Sequence, residues 1–335
     1  MKKIVLALTA LFAMASCGTT TTEPTTPENV VSGLITEDVT WYADTVYEMA
    51  GKVVVEEGAT LTIQPGTLIK ARDGQGSLST ALIIAQGGRL EAVGTIDAPI
   101  VFTSIYDTGD NLDQTDQGLW GGVVVLGYAP ISADAVPANI EGIPVNEGFG
   151  LYGGSNTHDN SGILKYISIR HAGTLLGDGN ELNGLTLGGV GSGTVIDNIE
   201  VVGNLDDGIE CFGGTVNLTN TLVWAQGDDA FDIDQAFAGT FDNFISIEGA
   251  DSDHALEIDG PEGTYEDDFT MLNGTLISVD GSEVHFRDGA SGYVEFAGQA
   301  NVSADSGTSV VVEYLTDGAD ASVFSWTLAA KKGAL

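Results

Sequence analysis

Five short blocks in the second half of the chain align with one another, and this repeat is the feature that most constrains the fold. The blocks begin at residues 183, 207, 229, 254 and 282, so they are separated by 24, 22, 25 and 28 residues. A variable period of this size, with loops absorbing the differences, is typical of the coils of a parallel β-helix. The repeat therefore predicts a solenoid in which each block supplies one strand of a common sheet.

Apolar and polar columns alternate within the aligned blocks. The apolar columns are Leu185, Ile209, Phe231, Leu256, Val284 and, two positions on, Leu187, Cys211, Ile233, Ile258, Phe286. The polar columns are Thr186, Glu210, Asp232, Glu257, His285 and then Gly188, Phe212, Asp234, Asp259, Arg287. A period of two places successive side chains on opposite faces of a strand. The apolar columns, with the unpaired thiol of Cys211, are therefore predicted to point inward, and the acidic residues between them to form an outward ladder.

The remainder of the chain fits the same all-β plan. Short apolar strands separated by Gly or Pro run through residues 51–71 and 80–104, and Trp224 is predicted to join Val201 and Ile247 in another inward column. Two polar stretches within about 105–162 are too long for tight turns and are expected to be inserted loops. The stretch "FSWTLAAKK" is predicted to form a closing strand and cap. The predicted fold is a right-handed parallel β-helix, a single-stranded solenoid, over residues 34–335.

The N-terminal segment has the features of a lipoprotein export signal. Lys2 and Lys3 precede an apolar run that is too short to span a bilayer, and "MASC" resembles a lipobox ending at Cys17. Residues 1–16 are therefore predicted to be a signal peptide. Residues 17–33 are predicted to be a lipidated cysteine followed by a Thr/Pro-rich tether. Because the residue after Cys17 is Gly18 rather than Asp, we expect an outer-membrane or cell-surface location, with the lipid anchor as the membrane contact.

Several longer motifs point to a known group of proteins. They include "GLWGGVVVLGYAPI", "YGGSNTHDNSGILKYISIRHAG", "NELNGLTLGGVGSGTVIDNIEV" and "DDGIECFGGTVN". With these motifs the chain resembles secreted right-handed β-helix lipoproteins of Bacteroidetes-like and other Gram-negative bacteria, from about Ile35 to the C-terminus. The resemblance implies the β-helix fold and export, and it implies no catalytic residues.

The acidic columns allow two kinds of chemistry. If the protein is an enzyme, the candidate catalytic residues for glycoside hydrolysis or polysaccharide lysis are Glu210, Asp232, Glu257, His285 and Arg287. If the acids bind a cation, Ca²⁺ suits their oxygen ligands. The candidate calcium ligands are Asp228, Asp229, Asp232, Asp234, Glu257 and Asp259. A structural role is also open, because Asp in the turn before a strand caps backbone N–H groups, as the pairs Asp206-Asp207 and Asp228-Asp229 suggest.

The net charge of the chain argues against nucleic acid as a partner. The chain has 11 Lys and Arg against 48 Asp and Glu, for a formal net charge of −37. A surface of this sign repels nucleic acid. We therefore expect a cell-envelope binding or adhesion module for a glycan or protein ligand, with calcium as a stabilising ligand. The alternatives are a polysaccharide-degrading hydrolase or lyase and an accessory lipoprotein of an outer-membrane uptake system.

Overall fold

The computed structural model describes residues 29–335 except 75, 178–179, 279–281, 288–289, 291, 297–299, 304–307 and 313–317. The strands of its first part are β1 Val30–Ile35, β2 Val39–Trp41, β3 Val46–Val55, β4 Thr60–Ile63, β5 Leu68–Ala71, β6 Ala81–Ile84, β7 Arg89–Val93, β8 Ile100–Ser104, β9 Gly122–Leu126, β10 Ala138–Asn139, β11 Leu151–Tyr152, β12 Gly162–Arg170, β13 Leu175–Gly177 and β14 Asn180–Glu181. Those of its second part are β15 Leu185–Gly188, β16 Val195–Val202, β17 Ile209–Phe212, β18 Asn217–Trp224, β19 Phe231–Asp234, β20 Thr240–Ile247, β21 Leu256–Ile258, β22 Phe269–Ile277, β23 Ser282–Phe286, β24 Gly292–Phe296, β25 Ala300–Ser303 and β26 Thr308–Val312. Helical turns lie at Gly76–Leu78, Val145–Glu147 and Ala321–Phe324, and α1 is Leu328–Lys332.

Most strands stack in parallel on three faces of one solenoid, which confirms the predicted parallel β-helix. The antiparallel pairs are β10–β11, β13–β14, β23–β26 and β24–β25. Face A contains β6, β9, β15, β17, β19, β21 and β23 in that order, preceded by the end of β3. Face B contains β2, β4, β7, the first halves of β12, β16, β18, β20 and β22, and then β24. Face C contains the first half of β3, β5, β8 and the second halves of the same long strands. Each coil therefore passes once through all three faces.

The face-A register is the one that the sequence alignment predicts. Leu185 pairs with Ile209, Ile209 with Phe231, and Phe231 with Leu256. These side chains and those of the second apolar column lie in one core cluster. The unpaired thiol of Cys211 is fully buried there, and burial raises the pKa of the thiol well above its ordinary value.

The corner between faces B and C is built from asparagines in the left-handed backbone region. Asn198, Asn220, Asn243 and Asn273 have φ between 55° and 63°. Asparagine adopts this conformation at lower cost than most residues. The side chains also bond between coils, since Asn243 Nδ2 donates to Asn220 Oδ1 at 2.6 Å. One residue per coil therefore makes a sharp corner and links it to the next.

Two predictions about the outside of face C are wrong. Trp224 pairs with Val202 and Ile247, not with Val201, and this column points outward. It remains buried because the C-terminal segment packs over it, with Phe324 fully buried in the same apolar cluster. The stretch "FSWTLAAKK" is thus a helical turn followed by α1, not a strand, and it covers the side of the solenoid. Thr327 Oγ1 caps α1 by accepting from the Ala330 N–H at 3.1 Å.

The predicted insertion consists of two loops on either side of β9. The first inserted loop, residues 105–121, joins β8 to β9, and the second inserted loop, residues 127–161, joins β9 to β12. The second loop lies over face A. Its Ile131, Ile140, Ile143 and Tyr152 pack with the outward-facing Phe212 in a separate apolar cluster. The loop therefore covers part of the face that carries the acidic columns.

Candidate functional site

The acidic column of face A points away from the core, as predicted, but it is largely shielded from solvent. Glu210, Asp232 and Glu257 pair in register along β17, β19 and β21, and His285 follows on β23. The three acids are only 7%, 9% and 6% exposed. Side chains of the preceding turns lie beside them, and the second inserted loop packs against Phe212 next to Glu210. The column is therefore largely an internal surface between the solenoid and its covering.

A second ladder of polar side chains lies in the turns before the face-A strands. It consists of Asn183, Asp207, Asp229 and His254, each two positions before an inward-facing strand residue. Asp207 Oδ1 accepts from the Asp229 N–H at 2.9 Å, and Asp229 Oδ1 accepts from the His254 N–H at 2.9 Å. The second Asp of each Asp-Asp pair thus bonds the backbone of the next coil, which is the structural role considered for it.

The two ladders interlock into a continuous chain of ionisable groups. Asp206, Asp207 and Asp228 form one set whose ligand-type atoms lie within 4.8 Å of one another, and three further sets overlap along the ladders. The three further sets are Asp207, Glu210, Asp232, then Asp229, Asp232, Glu257, and finally His254, Glu257, His285. Asp232 and Glu257 are each shared by two sets. The chain runs from fully enclosed carboxyls at β17 to partly exposed imidazoles at β23.

Among the described residues, basic side chains contact this series of acids at its exposed end. Arg287, 51% exposed at its side chain, bonds Glu257 Oε2 at 2.8 Å and Asp259 Oδ2 at 3.2 Å. His285 Nδ1 lies 3.1 Å from Glu257 Oε1, and His254 Nδ1 lies 2.8 Å from Asp229 Oδ1. We name His254, Glu257, His285 and Arg287 the outer cluster. In this cluster the carboxylate of Glu257 is contacted by His285 and Arg287.

An open groove adjoins the outer cluster, and we name it the face-A groove. It is lined by Asp234, Asp259, Glu262, His285 and Arg287, with Gly260 and Pro261, and has a volume of about 600 Å³. The second inserted loop is bonded to one wall, because Ser132 O accepts from the Glu262 N–H at 3.1 Å. Gln235 Nε2 donates to Glu262 Oε2 at 3.0 Å and Tyr152 OH donates to Gln235 Oε1 at 3.0 Å. These bonds hold the wall in place beside Asp234.

Burial and mutual repulsion raise the pKa values of the enclosed acids. Burial, with the neighbouring acids adding to it, raises the pKa of Asp207, Glu210 and Asp232 well above the usual range. Burial and then Glu257 raise the pKa of Asp229 to about 9. Burial also raises the pKa of Asp234 in the groove to about 7. Acids with strongly shifted pKa values in a cleft are a common feature of functional sites.

The structure divides the residues predicted from the sequence. Among the predicted catalytic residues, Glu210 and Asp232 are enclosed, whereas Glu257, His285 and Arg287 meet in the outer cluster. The predicted calcium ligands do not form a single site. Asp228 is exposed beside Asp206 and Asp207, Asp234 and Asp259 line the groove, and Asp229, Asp232 and Glu257 converge below it. Asp207 and Glu262 join these groups although the sequence did not single them out as site residues. The Asp-Asp repeat marked Asp207, but nothing local marked Glu262.

Comparison with known sequences assigns the family. A sequence model described as "pectate-lyase like beta helix domain" matches residues 33–304 of the 335. The chain belongs to this family. No curated protein and no solved structure matches it. Within the part of the chain that the structure describes, no helix is long and apolar enough to cross a bilayer.

Proposed function

We propose that the protein is a glycan-binding module of the cell envelope and that the face-A groove is its sugar-binding surface. The observation that carries the proposal is the groove itself, where carboxylates, an imidazole and a guanidinium converge on one open concavity. Sugar hydroxyls both donate and accept hydrogen bonds, so a lining with both types of partner suits them. Membership of the pectate-lyase-like β-helix family supports a carbohydrate ligand.

The charges in the groove favour a neutral glycan. Arg287 is already paired with Glu257 and Asp259, so its positive charge is not free to bind an acidic sugar. Asp234 and Glu262 add further acids to the lining, and the chain as a whole carries a net charge of −37. An acidic polysaccharide would be repelled unless cations accompanied it. We therefore expect neutral, hydroxyl-rich glycans to bind better than uronic-acid polymers.

Binding to an array of neutral and uronic glycans tests this proposal. The variant Asp259→Asn should weaken binding by roughly 10- to 100-fold, because a hydrogen bond to a charged partner contributes about 1.5–3 kcal/mol. Asp97→Asn, which removes an exposed carboxylate elsewhere on the solenoid, is the matched control and should bind like the wild type. An array without neutral-glycan binding, or binding unchanged in Asp259→Asn, would contradict the proposal.

A second candidate function, glycoside hydrolysis, is favoured by the arrangement of Asp234 and Asp259. These acids line the groove from neighbouring coils, and the spacing of adjacent strands is about 4.8 Å. Carboxyl groups roughly 5 Å apart suit a retaining mechanism. Burial raises the pKa of both acids, to about 7 at Asp234, but Arg287 opposes the rise at Asp259. Asp259 would therefore be the ionised member and Asp234 the proton donor.

The lyase alternative would need His285 as its base. A lyase requires a base that removes a proton from the sugar ring, and the groove lining offers the imidazole of His285 and the guanidinium of Arg287. Burial lowers the pKa of Arg287, but the charges of Asp259 and Glu257 outweigh this effect and hold the pKa above its ordinary value. A guanidinium in this environment does not act as a base.

Product analysis separates binding from catalysis. Incubation with the glycans bound on the array should release no new reducing ends if the protein only binds them. Release that Asp234→Asn abolishes while binding persists would establish the hydrolase instead. Appearance of unsaturated products would indicate a lyase.

The proposed envelope location depends on Cys17, which lies outside the described residues. An anchored solenoid that presents a glycan site also fits the third possibility, an accessory lipoprotein of an outer-membrane uptake system. Neighbouring genes that encode an outer-membrane transporter, together with copurification of that transporter, would support this more specific role.

A further inference from the structure

We propose that Asp207, Glu210 and Asp232, the buried triad, hold a hard divalent cation between two coils beneath the second inserted loop. One ligand oxygen from each side chain lies within 4.8 Å of those of the other two, so a single ion can contact all three. The three side chains come from consecutive coils and from two different ladders. This position is separate from the face-A groove and from the outer cluster.

The distribution of positive charge distinguishes the buried triad from the rest of the acidic chain. In the outer cluster, Arg287 and two histidines lie beside the carboxylates. By contrast, none of the ion pairs formed by the described residues joins a Lys, Arg or His to Asp207, Glu210 or Asp232. A buried carboxylate without a compensating charge is costly. The triad is therefore the place where a cation would contribute most.

Two buried oxygen atoms at the triad accept no hydrogen bond from the described residues. One is Asp232 Oδ1, on a residue that is more than nine-tenths buried. The other is Asn183 Oδ1, on a 1%-exposed residue whose Nδ2 donates to Glu210. Buried polar atoms normally have partners, so unpartnered atoms call for an explanation. An ion bound at the triad would supply the missing partner for Asp232 Oδ1.

The donor set indicates the class of ion. Carboxylate and amide oxygens are the ligands that Ca²⁺ and Mg²⁺ prefer, and Ca²⁺ tolerates irregular geometry with six to eight oxygens. The thiol of Cys211 belongs to the inward column, so the triad contains no sulfur ligand. The histidines of the acidic series, His254 and His285, lie at the opposite end from the triad. We therefore expect Ca²⁺ to bind more tightly than Mg²⁺ or Zn²⁺.

Thermal unfolding of the full chain with and without metal tests the site. After dialysis against chelator, CaCl₂ at about a hundred times its Kd should raise Tm by roughly 5 °C beyond the effect of NaCl at equal ionic strength. Calcium content per chain should approach one equivalent at the triad. Glu210→Gln combined with Asp232→Asn should abolish both effects, and the metal-free variant should be at least as stable as the metal-free wild type.

Two controls locate the ion. Asp259→Asn, at the exposed end, should retain the calcium-dependent rise in Tm, and so should Asp97→Asn combined with Asp251→Asn, which removes two exposed carboxylates. Equal rises in CaCl₂ and matched NaCl would overturn the proposal, as would a calcium effect that survives in the Glu210→Gln, Asp232→Asn variant. If that variant does not fold, the single change Asp232→Asn with calcium affinity as the readout decides, because affinity should fall at least tenfold. None of these outcomes depends on glycan binding, so the two proposals succeed or fail separately.

Discussion

At the scale of single residues, His171 shows how burial controls charge at the edge of face C. The residue is 2% exposed and has a left-handed φ of 62°. Its Nδ1 donates to the Asp116 carbonyl of the first inserted loop at 2.7 Å. Burial lowers the pKa of the imidazole and Arg170 lowers it further, while the bond to Asp116 and the charge of Asp107 act in the opposite direction. The net effect keeps the folded-state imidazole neutral.

The lowered pKa of His171 predicts a loss of stability in acid. In the unfolded chain the imidazole binds a proton below about pH 6.5, whereas the folded protein resists protonation until a lower pH. The stability due to neutral His171 is therefore complete above about pH 6.5 and decreases as the pH falls towards the folded-state pKa. Chemical denaturation at pH 7 and pH 5 measures this effect.

The variant His171→Gln isolates that contribution from those of the many acids. It should be less stable than the wild type at pH 7, and this difference should shrink by pH 5, because glutamine does not titrate. A difference that is the same at both pH values would show that His171 does not titrate across this range and would contradict the prediction.

At the scale of elements, the C-terminal segment acts as an external cover for face C. Strands β16, β18 and β20 carry outward apolar residues, including Val202, Trp224 and Ile247, that would otherwise meet water. The segment also bonds to the solenoid, since the Ala329 N–H donates to the buried Glu200 Oε1 at 2.9 Å. It should therefore unfold together with the coils beneath it.

Phe324 is the side chain that tests this cover. It is fully buried in the apolar cluster on the outside of face C, so Phe324→Ala should lower the free energy of unfolding by about 3–5 kcal/mol. Val323→Ala, at a neighbouring half-buried position, should have a clearly smaller effect. Denaturant titration measures both. Equal and small losses would mean that the segment contributes little to the stability of the solenoid.

At the scale of the whole molecule, a three-faced solenoid divides its tasks among its faces. The asparagine corner joins faces B and C, and the C-terminal segment covers the outside of face C. Face A carries the acids and the groove. Because each coil contacts mainly its neighbours, local changes on face A need not disturb the other faces. The long acidic column can thus combine an enclosed end and an open end in one structure.

The lipoprotein prediction also belongs to this scale, because it concerns where the molecule is held. Cys17→Ala should abolish incorporation of a fatty-acid analogue and should release the protein from the membrane fraction, since the thioether-linked lipid would be the anchor. Cys211→Ala is the matched control and should leave labelling unchanged, because that thiol is buried in the core. Wild-type protein that is unlabelled and found in the soluble fraction would refute the prediction.

The sequence by itself determined the register of the five aligned blocks and the direction of their face-A side chains. Apolar residues at every second position, such as Ile209 and Cys211, can lie only on the core side, so the intervening Glu210 must point outward. The tertiary structure decided what then covered the outward side. Trp224 was assigned to the wrong column because β16 and β18 end in consecutive apolar residues, which a period of two cannot separate. The surroundings of Glu210 likewise depended on the path of residues 127–161 across face A. The cover over Trp224 depended on Phe324, 100 residues further along the chain. Contacts between distant segments leave no periodic signal, so only the packed structure separated an enclosed acidic triad from an open groove.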